Sequence, residues 1–186
     1  MIETTYLSNQ FLIAMPGLAD PNFHQTVTYI CEHDDNGALG IIINRPLRIK
    51  LEQLLEHLQI PLQTDISGVP LYSGGPVQQE QGFVIHTPMG DWDSTLRVTD
   101  AIGITTSRDI LQAIARQEGP DKSLVALGYA GWGPGQLEQE MAANAWLSGP
   151  ADPSILFDLD TDRRWSAAAA LLGVDLSLLS GDSGHA

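Results

Sequence analysis

The chain has 186 residues, 43% of them hydrophobic, and a formal net charge of −14, from nine Lys and Arg against 23 Asp and Glu. That length supports one sizeable core, and the lack of any apolar run of about 18 residues excludes a transmembrane helix. The charge opposes nucleic-acid phosphates and anionic lipid surfaces, both of which call for a basic face.

One cysteine, Cys31, excludes an intrachain disulfide and a cysteine-based zinc cluster. The first residues carry no basic segment followed by an apolar one, so the expected location is the reducing cytoplasm. No internal repeat or low-complexity tract interrupts the chain. Residues 1–180 read as one domain and 181–186 as a loose tail.

Phe11-Leu12-Ile13-Ala14-Met15 predicts a short strand closed by Pro16-Gly17. Leu18 to Phe23 reads as a loop, because Asp20-Pro21-Asn22 is turn chemistry. From Thr26 to Glu32 the chain alternates, with Val27, Tyr29 and Cys31 on one side and Thr26, Thr28 and Ile30 on the other. Asp34-Asp35-Asn36-Gly37 supplies a hairpin turn through Asn-Gly, and Ala38 to Asn44 returns as a strand that Pro46 should end. Leu51, Leu54, Leu55 and Leu58 form the apolar stripe of a helix near 50–59, ended by Pro61. Gly82–Thr87, Thr95–Val98, Ile102–Thr105 and Ile155–Phe157 are further strand candidates. A helix follows a Ser107 N-cap and stops at Gly119-Pro120, another starts with Pro134 at its first position, and a last one runs from about Asp162 to Gly173. Hairpins mixed with separate helices define an α+β chain with mostly antiparallel pairing.

Leu124 to Glu138 reads as a buried strand entering a glycine-rich turn that opens into a helix, a junction that in other chains cradles anions. Here no Lys-Ser or Lys-Thr follows, the spacing of Gly131, Gly133 and Gly135 is not that of a dinucleotide site, and Pro134 removes a donor. Glu138 and Glu140 complement the helix dipole and repel phosphate. The junction is therefore read as a close-packed turn that presents Trp132 and Gln136. Glu32 and His33 could do acid–base work, but neighbours on a strand face opposite sides unless a bulge re-aims one. Asn44-Arg45 ends a buried strand. Arg45 can grip a carboxylate or phosphate, or pair with an acid such as Glu32 while Asn44 caps backbone. His24, His86 and Asp20 show no metal-ligand spacing, Gly74-Gly75-Pro76 reads as a turn, and Cys31 as an inert buried thiol. No Gly-x-Ser-x-Gly elbow is present.

Phe11 to Pro16, Asp20-Pro21-Asn22-Phe23, Cys31-Glu32-His33, Asn36 to Gly40, Asn44-Arg45-Pro46, Gly74 to Val77, Gly82 to His86, Leu127 to Glu138, Trp146-Leu147 and Asp152 to Phe157 occur in one order. Over nearly the whole chain this pattern resembles the AlgH/YqgE family. The resemblance implies a single α+β domain whose bent, mostly antiparallel sheets form a pseudo-barrel flanked by helices. It also implies a link to the regulation of alginate production in pseudomonads, and it brings no catalytic residue, cofactor or reaction.

The expected function is regulation through a protein partner or small ligand, with Glu32, His33, Asn44, Arg45, Trp132 and Gln136 as contacts and no catalytic, cofactor or metal residue. One alternative is a hydrolase built on Glu32, His33 or His86. The other is direct DNA binding through Arg45, Arg48, Lys50 and Arg163-Arg164, which the acidic balance disfavours.

Overall fold

Short antiparallel pairings build most of the molecule. In a computed structural model, which describes residues 6–178, the strands are β1 (Gln10–Ala14), β2 (Val27–Asp34), β3 (Gly37–Ile42), β4 (Pro46–Lys50), β5 (Pro70–Ser73), β6 (Val77–Thr87), β7 (Thr95–Arg97), β8 (Gly103–Thr105), β9 (Lys122–Trp132) and β10 (Trp146–Pro150). The helices are α1 (Leu51–His57), α2 (Arg108–Ala115), α3 (Gln136–Ala142) and α4 (Arg164–Ala170). The strands run in the order β10-β1-β2-β3-β9-β6-β8-β7, and β4 and β5 branch off as a pair on β9. The β5–β9 contact is parallel and the other pairings among the described residues are antiparallel. The result is a single domain, a curled antiparallel half-barrel with a few helices, as the family resemblance implied. The expected tail at 181–186 lies outside the described residues.

One strand belongs to both halves of this sheet. Lys122 to Leu127 of β9 pair with β6, which is met once more at Tyr129, while Ala130 to Trp132 pair with β3. Between them the chain turns at Gly128, whose φ of +80° is a left-handed conformation that disfavours side chains. Gly74 and Gly75 lie directly against this bend. A Cβ on Gly75 would sit 2.1 Å from the Tyr129 carbonyl carbon, and one on Gly128 would sit 2.5 Å from the Gly75 oxygen. The Gly74 N–H donates to the Leu127 carbonyl at 2.8 Å, and its own carbonyl accepts from Ile42 at 2.9 Å. The double glycine is thus a backbone-on-backbone crossing as well as a turn.

Three apolar clusters follow from the two faces of the sheet. Inside the curl, Phe11, Tyr29, Ile41, Phe83 and Ile85 pack against Ala168 and Ala169 of α4. Outside, Leu51, Leu55 and Ile110 of α1 and α2 cover Val84 and Val125. The third cluster joins Leu12, Ile30 and Trp132 to Leu137 of α3. β2 is therefore covered on both faces, which is why residues on both sides of its alternation are buried.

Several expectations are corrected. The hairpin loop is Asp35-Asn36, since Gly37 already pairs with Asp34. A Cβ on Gly37 would lie 2.1 Å from the Trp132 carbonyl oxygen, so this glycine answers to strand contact as well as to turn chemistry. β3 ends at Ile42, ahead of Pro46 as expected, but Pro46 also opens a further strand, β4, at an edge where proline is tolerated. α3 begins at Gln136 after a left-handed Gly135, so Pro134 precedes the helix. Ser107 does hold the N-cap position, but its hydroxyl accepts the Ser94 N–H and donates to Asp109 instead of bonding a helix N–H. Ile155–Phe157 is not a strand. Asp152 accepts from the Ser154 N–H, Leu159 closes a wide turn on the Ser154 carbonyl, and Ser154–Asp158 becomes a π-helical turn. β5 and β10 were not expected, being short and lacking clear alternation.

Gly128 and Gly135 share a left-handed φ, but a Cβ at Gly135 meets nothing within 4 Å. Gly135→Ala should therefore cost only about 1–2 kcal/mol of backbone strain. Gly128→Ala should cost about 1–3 kcal/mol more, from the contact with Gly75. Urea denaturation of the two variants measures the difference, and equal losses would remove the crossing as a constraint.

Candidate functional site

The residues expected to form a site come together, but mostly as scaffold. Asn44 Oδ1 accepts the Val27 N–H at 2.9 Å and its amide donates to the Gln25 carbonyl at 2.9 Å. Arg45 pairs with neither Glu32 nor any other acid among the described residues. Its guanidinium donates to the carbonyls of Pro21 (2.7 Å), Asn22 (2.9 Å) and His24 (2.9 Å), and partial burial lowers its pKa from the usual arginine value. The pair fastens the loop that carries Phe23, whose ring stands edge-on to Trp146 at 5.3 Å and beside Trp132 at 6.1 Å.

Glu140 ties these rings to α3. Its Oε1 accepts both the Trp132 and the Trp146 indole N–H at 3.0 Å, and its Oε2 accepts the Gln136 amide at 3.0 Å. Gln136 Oε1 in turn accepts the Gly133 N–H at 2.9 Å. Trp132 is 6% exposed; it is a structural anchor with only an edge at the surface. Trp146, Phe23 and Glu140 are not among the contacts expected from sequence, because indole-to-carboxylate pairing leaves no fixed spacing there.

His33 and His86 are committed as well. β2 does bulge between Ile30 and Glu32, yet Glu32 stays exposed while His33 turns inward. His33 Nδ1 accepts the Leu7 N–H at 2.9 Å, so its proton sits on Nε2 and is donated to Glu138 at 2.8 Å. His86 is fully buried. Its Nδ1 faces the Pro88 carbonyl at 3.0 Å and therefore carries the proton, leaving Nε2 to accept from Thr105 at 2.7 Å. Burial lowers its pKa, against a smaller opposing effect of the Pro88 carbonyl. Burial also pushes the Cys31 thiol well above its usual range, and its Sγ faces the Tyr29 carbonyl. Glu32, His33 and His86 thus form no joint site. No group of three metal-ligating side chains occurs among the described residues, and no helix is long and apolar enough to cross a membrane.

What remains open is a trough on the surface between the β2–β3 hairpin and the end of β9. Its cavity is about 560 Å³, lined by Glu32, Asp34, Leu39, Val77, Tyr129 and the edge of Trp132. A second depression of about 450 Å³ shares Glu32 and Leu39 and continues over Phe83, Leu96 and Ile104. The Phe83 and Tyr129 rings meet edge to face at 5.6 Å between them. Two carboxylates border the first depression, and neither depression is lined by Lys or Arg. Of the expected contacts, only Glu32 and Trp132 reach it. Tyr129 could have been found from period-two alternation, which places it on the face of Gly131.

Two of the five cations counted for DNA binding are engaged inside the fold. Arg45 is used by its loop. Arg164, counted with Arg163 as a pair, is buried and donates to the Ile43 carbonyl.

A curled α+β half-barrel in which His33 and His86 are bonded internally, with an acidic-edged trough beside Glu32, is the framework set against known proteins. The AlgH-like family model matches residues 11–177, and the chain belongs to that family. It is 59% identical to the UPF0301 protein of Thioalkalivibrio sulfidiphilus over 186 residues, covering 100% of both chains. It is 60% identical to a UPF0301 protein of Nitrosococcus oceani over 182 residues, 97% of each. The solution structure of the AlgH protein from Pseudomonas aeruginosa is similar with a TM-score of 0.80 at 52% identity, covering 100% of this chain and 99% of that one. A Corynebacterium diphtheriae protein shares the fold at 19% identity, with a TM-score of 0.76 over 97% of this chain and 94% of that one.

Two outcomes follow from the internal bonds. Glu140→Ala strands two indole N–H groups and should cost about 2–4 kcal/mol with a shift in tryptophan emission. Glu140→Gln, which keeps an accepting oxygen, should recover part of that in urea denaturation, and equal losses would deny the carboxylate its bridging role. For His86 the folded pKa lies below the unfolded value of about 6.5. Its contribution is therefore whole above that value and lost as pH falls below it toward the folded pKa, because the unfolded chain binds the proton first. Unfolding free energies between pH 7 and 5 should fall more steeply in the native chain than in His86→Asn. Parallel slopes would remove His86 as the cause.

Proposed function

We propose that this protein is a non-catalytic cytoplasmic regulator that binds a cationic, partly apolar segment of a partner protein in the trough beside Glu32. The observation that carries the reading is the lining itself: Glu32 and Asp34 above Leu39, Val77 and Tyr129, with no cation beside them. An apolar floor rewards burial of aliphatic side chains, and rim carboxylates favour Lys or Arg at the ends of such a segment. The net charge of −14 strengthens that preference at long range. The internal roles of His33, His86 and Cys31 support binding over hydrolysis, since each would have to give up a bond to act on a substrate. Trp132 is a poor handle for testing this, because its removal empties a packed cluster. Glu32 is exposed and serves better.

A short peptide alternating Lys and Leu, titrated into isotopically labelled protein, should produce saturable amide shifts at Glu32, Leu39, Tyr129 and Gly131. The same peptide with Glu in place of Lys should not. Glu32→Lys combined with Asp34→Lys should weaken the basic peptide roughly tenfold or more while leaving the spectrum folded. Equal binding of both peptides, or binding indifferent to charge reversal, would overturn the proposal.

A further inference from the structure

A second cavity lies at the other end of β9. Where β5 and β9 run parallel, their pairing begins only at Tyr72 and Ala126. Upstream the strands diverge and leave a cavity of about 220 Å³, bounded by Val69, Pro70, Ser123, Leu124, Phe157 and the guanidinium of Arg164.

Arg164 is 4% exposed and has no carboxylate within ion-pair distance among the described residues. This is unexpected in a chain with 23 acids. A buried cation is costly unless hydrogen-bonded and paired. Here Nε donates to the Leu159 carbonyl at 3.1 Å, Nη1 donates to the Ile43 carbonyl, and the group lies 5.2 Å from the Tyr72 ring centre. These contacts hold the side chain in place without neutralising it. Nη2 has no protein acceptor among the described residues, and it is not one of the sealed, unpartnered atoms of the interior.

We propose that this cavity binds a small organic carboxylate, whose oxygen accepts from Arg164 Nη2 and whose short apolar body lies against Val69, Leu124 and Phe157. The anion supplies the missing counter-charge, and charge-assisted bonds to guanidinium are the strong ones. Ser123, exposed at the mouth, offers a hydroxyl to the second oxygen. A single open guanidinium nitrogen suits a monoanion better than a phosphate dianion, and Val69, Leu124 and Phe157 give a body of only a few carbons an apolar side in an otherwise polar lining. The volume equals the liquid share of about seven waters, which sets the size of the ligand. This site stands at Ser123–Val125, away from the trough at Tyr129–Trp132, so neither proposal depends on the other.

The test is titration of labelled protein with butyrate, with acetate, inorganic phosphate and butylammonium alongside. Saturable shifts confined to Ser123, Leu124, Val125, Phe157 and the Arg164 side chain are expected, strongest for butyrate. Arg164→Met should weaken butyrate roughly tenfold or more. Because Arg164 also braces the fold, Ser123→Phe provides a second variant that fills the mouth from an exposed position and should abolish the shifts with the spectrum otherwise intact. Saturation by phosphate but not butyrate would overturn the carboxylate assignment. Shifts that do not saturate, or that survive Ser123→Phe, would reduce Arg164 to a structural tie.

Discussion

The fold depends on the place where the backbone of Gly74-Gly75 lies on the bend of β9. There β9 shifts its register on β6, which it meets again only at Tyr129, and goes on from Ala130 as the partner of β3. The approach is so close that any side chain on Gly75 or Gly128 would enter the opposite backbone. The three apolar clusters all draw on this strand: Leu124 and Ala126 inside the curl, Val125 under α1 and α2, Ala130 and Trp132 under α3. Moving the bend by one residue would reverse which face each of these side chains presents. The crossing therefore sets the register of every layer, and the hydrogen bonds of Gly74 to Leu127 and Ile42 hold it from both sides.

Downstream of the bend, polar side chains do work that a larger core would leave to apolar ones. Arg45 and Asn44 hold a loop by its carbonyls, the loop holds Phe23 over two indoles, and the indoles hold α3 through Glu140. Glu138 adds a second tie from α3 to β2 through His33. α3 has only seven residues and buries little beyond Leu137, too short to be stable by itself. Glu138, which in the first turn also complements the helix dipole, and Glu140, which does not because the helix starts at Gln136, together substitute for the missing apolar face. This is why residues that look chemically capable converge without forming a reactive set.

Local patterns were legible from sequence where one face or one turn decided them. The alternation of β2, the leucine stripe of α1 and the Ser107 position all sit where periodicity and cap chemistry placed them. Elements decided by neighbours were not. β4 starts on a proline because it is an edge, and β5 exists because β9 offers it an open side. Ile155–Phe157 has strand-like composition but is wound into a turn by Asp152. At the trough, Glu32 was visible as an exposed acid beside a hairpin. Tyr129 follows from the alternation of β9, but its meeting with Val77 and Leu39, from two other strands, is made only by the curl.

Charge separates the two cavities by mechanism. Arg45, Arg97, Arg108, Arg116, Lys122 and Arg164 are engaged by carbonyls or carboxylates of the same chain, six of the nine cations. The field outside the molecule is accordingly that of the acids, and it acts on anything charged that approaches from solution. A cationic segment is drawn toward the trough before it touches it, and salt should slow that approach. A carboxylate approaching Arg164 meets repulsion until it is inside, where the guanidinium acts over a few ångströms in poorly solvated surroundings. Association at the trough should thus be governed by steering, whereas residence in the Arg164 cavity should be governed by contact.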